Sequence, residues 1–315
     1  MASKYLVTGG AGFIGSRIVK RLVADGAQVR VIDNLSTGQA RRLHSVRASI
    51  DFIEGDLADA ATSRDAVGGV DYVLHQAAVP SVHRSVTDPV TTNRANVTGT
   101  VNLLEACRNA QVRRFVFAAS SSAYGDTEVL PKREDMEANP LSPYALQKFV
   151  GERYCKLYHE LYGLETVSLR YFNVFGPGQD PNSEYSAVIP KFISRLLAGQ
   201  RVTVFGDGEQ SRDFTYVDNV VDANFLALAA KDAAGEVFNI GCGAQFSLNQ
   251  VIHKLEKILG VTAQVEYLPA RAGDVRNSLA DIDKAHSVLG YVPKITFESG
   301  LARAVETFRK NAELL

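Results

Sequence analysis

The chain has 315 residues, 46% hydrophobic and 22% charged, the make-up of a globular protein long enough for one large core or two unequal ones. A net charge of -1, with no basic run, offers no electrostatic footprint for nucleic acid or an anionic membrane surface. Cys107, Cys155 and Cys242 are widely spaced and no H-x-x-x-H pair occurs, so neither a disulfide framework nor a metal site is expected, and the setting expected is a reducing cytoplasm.

The opening MASKYLVTGG runs straight into a strand, without the apolar stretch of a signal peptide. Tyr5–Thr8 predicts that strand, and a glycine loop and a helix over Ile14–Asp25 follow it. Further strands are expected at Gln28–Asp33, Asp51–Glu54, Asp71–His75, Arg114–Ala119 and Glu165–Arg170. Long helices are expected over about Val90–Ala110 and Tyr144–Leu161. This alternation makes βαβ units, so the fold class is α/β with a Rossmann-type doubly wound parallel sheet.

Beyond residue 171 the rhythm changes. A Gly/Pro-rich loop at Phe175–Asn182 precedes a helix over Val188–Leu197, a strand at Arg201–Phe205 and a helix over Asn219–Ala230. Glu236–Ile240 is a strand able to rejoin the first sheet, and the chain closes with a helix near Leu301–Asn311. The expected division is interleaved. Residues 1–171 with about 212–242 form a dinucleotide-binding domain, and about 172–211 with 243–315 a smaller α+β substrate domain.

Gly9, Gly12 and Gly15 stand between a strand and a helix in the pattern G-x-x-G-x-x-G. Such a turn needs a residue tolerant of positive φ, a backbone that approaches a pyrophosphate and a helix packed close on its strand. The helix N-terminus, at Phe13 and Ile14, then offers free N–H groups to the phosphates. Asp33 closes the next strand, 18 residues after Gly15, where a carboxylate accepts hydrogen bonds from the adenosine ribose and repels a 2′-phosphate. NAD is therefore favoured over NADP. Asp56 and Leu57 follow the third strand and are candidates for the adenine edge, although Asp56 reads nearly as well as a helix N-cap. Arg41 and Arg42 read as a solvated helix face.

Tyr144 and Lys148 are four apart at the start of a helix that Ser142-Pro143 would cap, so they share one face. An ammonium beside a phenol favours the phenolate, and the pair is expected to pull Tyr144 toward neutrality as a general base. Ser120-Ser121-Ser122 ends the Arg114–Ala119 strand on the side where open α/β sheets bind ligands.

With these residues in view, the chain resembles the extended short-chain dehydrogenase/reductases, and within them the NAD-dependent UDP-glucose and UDP-N-acetylglucosamine 4-epimerases. The likeness runs through Thr8–Gly15, Asp33-Asn34, His75–Ala78, Asn96-Val97, Ser120–Gly125, Tyr144/Lys148, Arg170–Gly176, Ser211–Tyr216 and Arg271–Asp274. It implies a cytoplasmic homodimer with NAD as cofactor and a UDP-sugar as substrate. Ser120 matches the family's catalytic hydroxyl, Tyr144 its base and Lys148 the holder of the nicotinamide ribose. Asn34, Ala77, Ala78, Asn96 and Tyr171 would line the cofactor. Asn173 would touch the sugar diphosphate, Val188, Val204 and Phe205 would bracket the uracil, and Arg212 and Arg271 would clamp the pyrophosphate. Asp274 would hold the uridine ribose, and Ser81, Ser121 and Ser122 would face the sugar.

Two departures refine this. Members that dehydrate or decarboxylate the sugar carry an acid between the catalytic hydroxyl and the Tyr-Gly pair, where this chain has Ser121, Ser122 and Ala123. Some members place a tyrosine four residues after the aspartate of the Arg271–Asp274 motif, and this chain has Ser278, which leaves room for an N-acetyl group. The resemblance thus implies epimerisation of UDP-GlcNAc/UDP-GalNAc alongside UDP-Glc/UDP-Gal. A UDP-glucuronate 4-epimerase, a nucleotide-sugar 4-ketoreductase and a non-catalytic NAD-binding regulator remain as alternatives.

Overall fold

The computed structural model describes residues 3–180, 188–270 and 275–312. Seven parallel strands form the central sheet: β1 (Lys4–Thr8), β2 (Gln28–Asp33), β3 (Ile50–Glu54), β4 (Tyr72–His75), β5 (Arg114–Ser120), β6 (Glu165–Tyr171) and Val237–Ile240. In space β1 lies between β2 and β4, β5 and β6 extend one flank, and Val237–Ile240 closes it beyond β6. The order reverses at β1, a switch point that opens a crevice at the strands' C-terminal ends. Almost every side chain of β5 and β6, and the second half of β1, is buried, as a sheet covered on both faces requires.

One apolar core packs α1 (Phe13–Ala24) and the Val217–Ala229 helix on one face, through Ile18, Val19, Leu22, Val220 and Ala227. The other face buries Leu103, Leu104, Cys107, Phe115 and Phe117. A third core joins the helices Val188–Leu197, Leu248–Leu259 and Phe297–Ala312 around Phe192, Phe214, Val251 and Leu301. Phe214, Phe246 and Phe297 stack within it, with ring centroids 4.4 and 5.3 Å apart. None of the described helices is long and apolar enough to cross a membrane.

The helix expected over Val90–Ala110 is present and carries one π turn. Pro89–Asn93 and Gly99–Asn109 are joined by one wide turn, Arg94–Thr98, in which Asn96 is turned inward. The helix Leu248–Leu259 was not expected, although Ser247 and Gln250 form a full capping box at its start.

Candidate active site

A cleft of about 900 Å³ lies along the C-terminal ends of β1, β2, β4, β5 and β6. At one end the chain leaves β1 through Gly9 at φ +63°, and a Cβ there would sit 2.7 Å from the Ala77 backbone. Only glycine combines that dihedral with that approach. Gly12 precedes α1 without a side-chain cap, so the N–H groups of the first turn are left for a ligand. Gly9, Gly12, Phe13, Ile14 and Gly15 line this part of the cleft.

Asp33 is buried and accepts from the N–H groups of Ala11 at 2.9 Å and Leu35 at 2.8 Å. Burial pushes its carboxyl above the usual range, while those two bonds and the charge of Arg42 oppose the shift. Asn34, Asp56, Leu57, Ala77 and Ala78 share this wall. Asp56 is not the helix cap; it accepts from Ala58 N–H, and Asp59 caps the helix Ala60–Val67. Asn96 is placed behind the wall. Its amide accepts from Val79 N–H at 2.7 Å and donates to Gln147, so it fixes the loop after β4 without lining the cleft.

Tyr144 and Lys148 rise from the helix Pro143–Tyr162, which Ser142 caps by accepting from Ala145 N–H. Ser120, at the end of β5, accepts from the Ser122 N–H at 3.2 Å and hydroxyl at 2.8 Å, and shares a hydrogen bond with Tyr144. Burial pushes Tyr144 up to about 12, and only the Ser120 bond opposes it. Burial brings Lys148 down to about 8, and its Nζ donates to the Ala118 carbonyl at 2.8 Å. Tyr171 also lines the cleft, with its hydroxyl hydrogen-bonded to Asn224 and Gln76.

The far wall brings in Ser81, Ser121, Ser122, Asn173, Arg212 and Ser278. Ser81 doubles as the cap of the helix Val82–Thr87. Asn173 takes φ +26° and donates to the Asp213 carbonyl, and Ser278 N–H donates to Ser211. Three candidates are not brought here. Val204 is 1% exposed in the third core, Val188 packs against that core, and Phe205 ends the strand Val202–Phe205 outside the cleft lining. Period-two alternation explains Val204, since it shares with Val202 the face that covers the core. Arg271 and Asp274 lie outside the described residues.

Sequence reasoning passed over several lining residues. Ser36, Thr37 and Gly38 follow Asn34 directly, and that turn-rich run was the available signal. Arg42, read as a solvated face, lines the cleft and donates to the Ala11 and Gly178 carbonyls. Lys132 and Arg84 carried no local signal. Among the described residues no group of three His, Cys, Asp or Glu side chains is placed to hold a metal ion.

The family model of the NAD dependent epimerase/dehydratase family matches residues 5–241. The UDP-glucose 4-epimerase of Mycolicibacterium smegmatis is 42% identical over 312 residues, 98% of this chain and 99% of that protein. The UDP-N-acetylglucosamine 4-epimerase of Methanobrevibacter ruminantium, solved with UDP-N-acetylmuramic acid, superposes with a TM-score of 0.93 at 40% identity, covering 99% of this chain and 100% of the other. The UDP-glucuronic acid 4-epimerase of Bacillus cereus, solved with UDP-glucuronic acid and NAD, gives 0.90 at 34% identity, covering 98% and 99%. A glycine cradle that excludes a Cβ, an uncapped α1 and a buried Asp33 fit that dinucleotide. The chain therefore belongs to the NAD dependent epimerase/dehydratase family, within the extended short-chain dehydrogenase/reductases, and is an isomerase that uses NAD.

Proposed function

We propose that the chain inverts C4 of a UDP-hexose, taking UDP-GlcNAc and UDP-GalNAc and, alongside them, UDP-Glc and UDP-Gal. The observation that carries this reading is the meeting of Ser120, Tyr144 and Lys148 with the glycine cradle in one cleft. Bound NAD supplies hydride uptake from C4 and its return, and a positive ring that favours the phenolate. Tyr144 moves the proton of the 4-hydroxyl, directly or across Ser120 Oγ, and gives it back in the second half, so no proton is consumed. Lys148, fixed by the Ala118 carbonyl, holds the nicotinamide ribose.

Between the halves the 4-keto sugar turns about its diphosphate link. That demands a firm hold on the nucleotide and small groups around the hexose. Arg212, Arg271, Asp274 and Asn173 are assigned to the first task, and Ser81, Ser121, Ser122 and Ser278 to the second. Ser278 supports acceptance of an N-acetyl group by its size. Val188, Val204 and Phe205 have no part in this reading.

The same proposal includes a cytoplasmic homodimer. Val90, Leu146, Leu157 and Leu161 are 79%, 50%, 40% and 65% exposed. They lie on neighbouring helices, and exposed apolar side chains grouped in this way suit a second copy.

The test is incubation of the purified protein with UDP-GlcNAc, UDP-Glc and UDP-glucuronate separately, without added nucleotide, scoring C4 inversion by NMR. Inversion of UDP-GlcNAc is the expected result, and none with any of the three refutes the reading. Inversion confined to UDP-glucuronate transfers it to the second reading, favoured by the likeness to the Bacillus cereus enzyme.

A further inference from the structure

The segment Gly176–Asp180 leaves the substrate side of the cleft and is held against the cofactor side by donors from three places. Arg17 of α1 donates to the Pro177 carbonyl at 2.8 Å and pairs with Asp218 at 3.0 Å. Arg42 donates through one terminal nitrogen to the Gly178 carbonyl at 3.1 Å, and through the other to the Ala11 carbonyl of the glycine loop at 3.3 Å. Gln39 donates its side-chain amide to the Asp180 carboxylate at 3.3 Å and its backbone N–H to Ala11 at 2.9 Å.

Gln39, Arg42, Gln179 and Asp180 line the same cleft as Gly12 and Asp33. The Gln179 Oε1 is buried without a hydrogen-bond partner, while its amide nitrogen donates to the Val174 carbonyl at 3.0 Å. Gly178 takes φ +86°, which lets the chain cross at this level.

We propose that Arg42 is a positioning residue for cofactor retention. It ties the Gly176–Asp180 segment to the glycine loop, so that NAD stays bound from one turnover to the next. The proposal rests on the epimerase reading, because an epimerase returns its cofactor to the starting oxidation state each cycle and needs no exchange. An oxidoreductase must release it. The planar guanidinium reaches the two carbonyls from two separate nitrogens, whereas a lysine would have to bring both to one.

The test loads the whole protein with NAD, transfers it to NAD-free buffer and follows the dinucleotide appearing in filtrates. Wild type is compared with Arg42→Ala, Arg42→Lys and Arg113→Ala, the last removing an exposed arginine next to the opposite end of β5. Loss of hydrogen bonds from a charged donor predicts release about tenfold faster in Arg42→Ala. Arg42→Lys is expected to fall between it and wild type, and Arg113→Ala to match wild type. The NAD-free Tm is read across the set; a modest fall in Arg42→Ala is expected from the same lost bonds, and release measured well below every Tm separates retention from a general loosening of the fold. Release from Arg42→Ala at the wild-type rate overturns the proposal. If that variant does not fold, release from Arg42→Lys at the wild-type rate does so. Failure of the epimerase reading shows separately, as absence of C4 inversion in the wild type, and leaves the release rates readable.

Discussion

The Tyr144 hydroxyl shares its hydrogen bond with a Ser120 oxygen that already accepts twice from Ser122. With both lone pairs engaged, Ser120 has its own O–H to give, and the phenol oxygen of Tyr144 is the group it meets. That polarity favours the phenolate and opposes the burial that raises it. Tyr144→Phe removes the proton carrier and leaves the ring. C4 inversion should fall by about 10²- to 10⁴-fold while bound NAD stays in place. An NMR assay of inversion beside an absorbance reading of bound dinucleotide checks both halves. A Phe variant with wild-type turnover would remove Tyr144 from the mechanism.

Ser278 is 8% exposed and faces the cleft across from Ser81 and the Ser120–Ser122 turn. Its backbone is held by the bond to Ser211, and on the proposed reading a larger side chain at 278 takes up space beside the sugar. Ser278→Tyr should lower kcat/KM for UDP-GlcNAc by about tenfold or more relative to UDP-Glc, since a filled pocket rejects added volume. Parallel kinetics on the two substrates give the ratio, and equal losses on both would show that position 278 is no size gate.

The sheet and the cofactor half of the site were legible because their signals are local. The Gly9–Gly15 spacing, the acid ending β2 and the i, i+4 pair at Tyr144 and Lys148 each lie within a few residues of chain, and the strand rhythm places them at one sheet edge. The state of Tyr144 was not legible. Spacing shows that two side chains share a helix face, and says nothing of the low-dielectric pocket that burial makes of it. Arg42 illustrates the other gap. Its two acceptors come from positions 11 and 178, and no window of sequence contains both. Val204 was misplaced because a resemblance carries position and not side-chain direction, which the alternation of its strand decides.

Beneath the site, Glu152 of the Tyr144 helix and Arg170 of β6 form a bidentate ion pair at 2.6 and 2.8 Å, each 4% exposed. Arg170 also lies over the Tyr124 ring at 4.6 Å. Removing one partner leaves a buried charge unmatched, and Glu152→Ala should destabilise the fold by about 3–5 kcal/mol. Urea unfolding of the NAD-free protein reads this directly. A loss under about 1 kcal/mol would mean that water or a rearranged side chain compensates Arg170.

His75 sets the behaviour in acid. Its ring is buried between the Thr8 hydroxyl at 2.7 Å and the Thr100 hydroxyl at 2.9 Å, and burial, with the Lys148 charge adding to it, brings it down to about 3. In the unfolded chain the same ring titrates near its ordinary value of 6.5. Between those two values the unfolded state binds a proton that the folded state refuses, so stability rises with pH through this window and is lost as pH falls. The slope from this one group is at most about 1.4 kcal/mol per pH unit. Asp213 has the opposite sign, because burial raises it from 3.8 to about 6 and folding there favours the protonated acid. It offsets part of the His75 effect below about pH 6 and is common to wild type and variant. His75→Gln removes the titrating ring, so the difference in urea stability between wild type and variant should shift against the wild type as pH falls from about 7 to about 5. A difference that stays constant over that range would show that the folded ring takes up its proton at the same pH as the unfolded one.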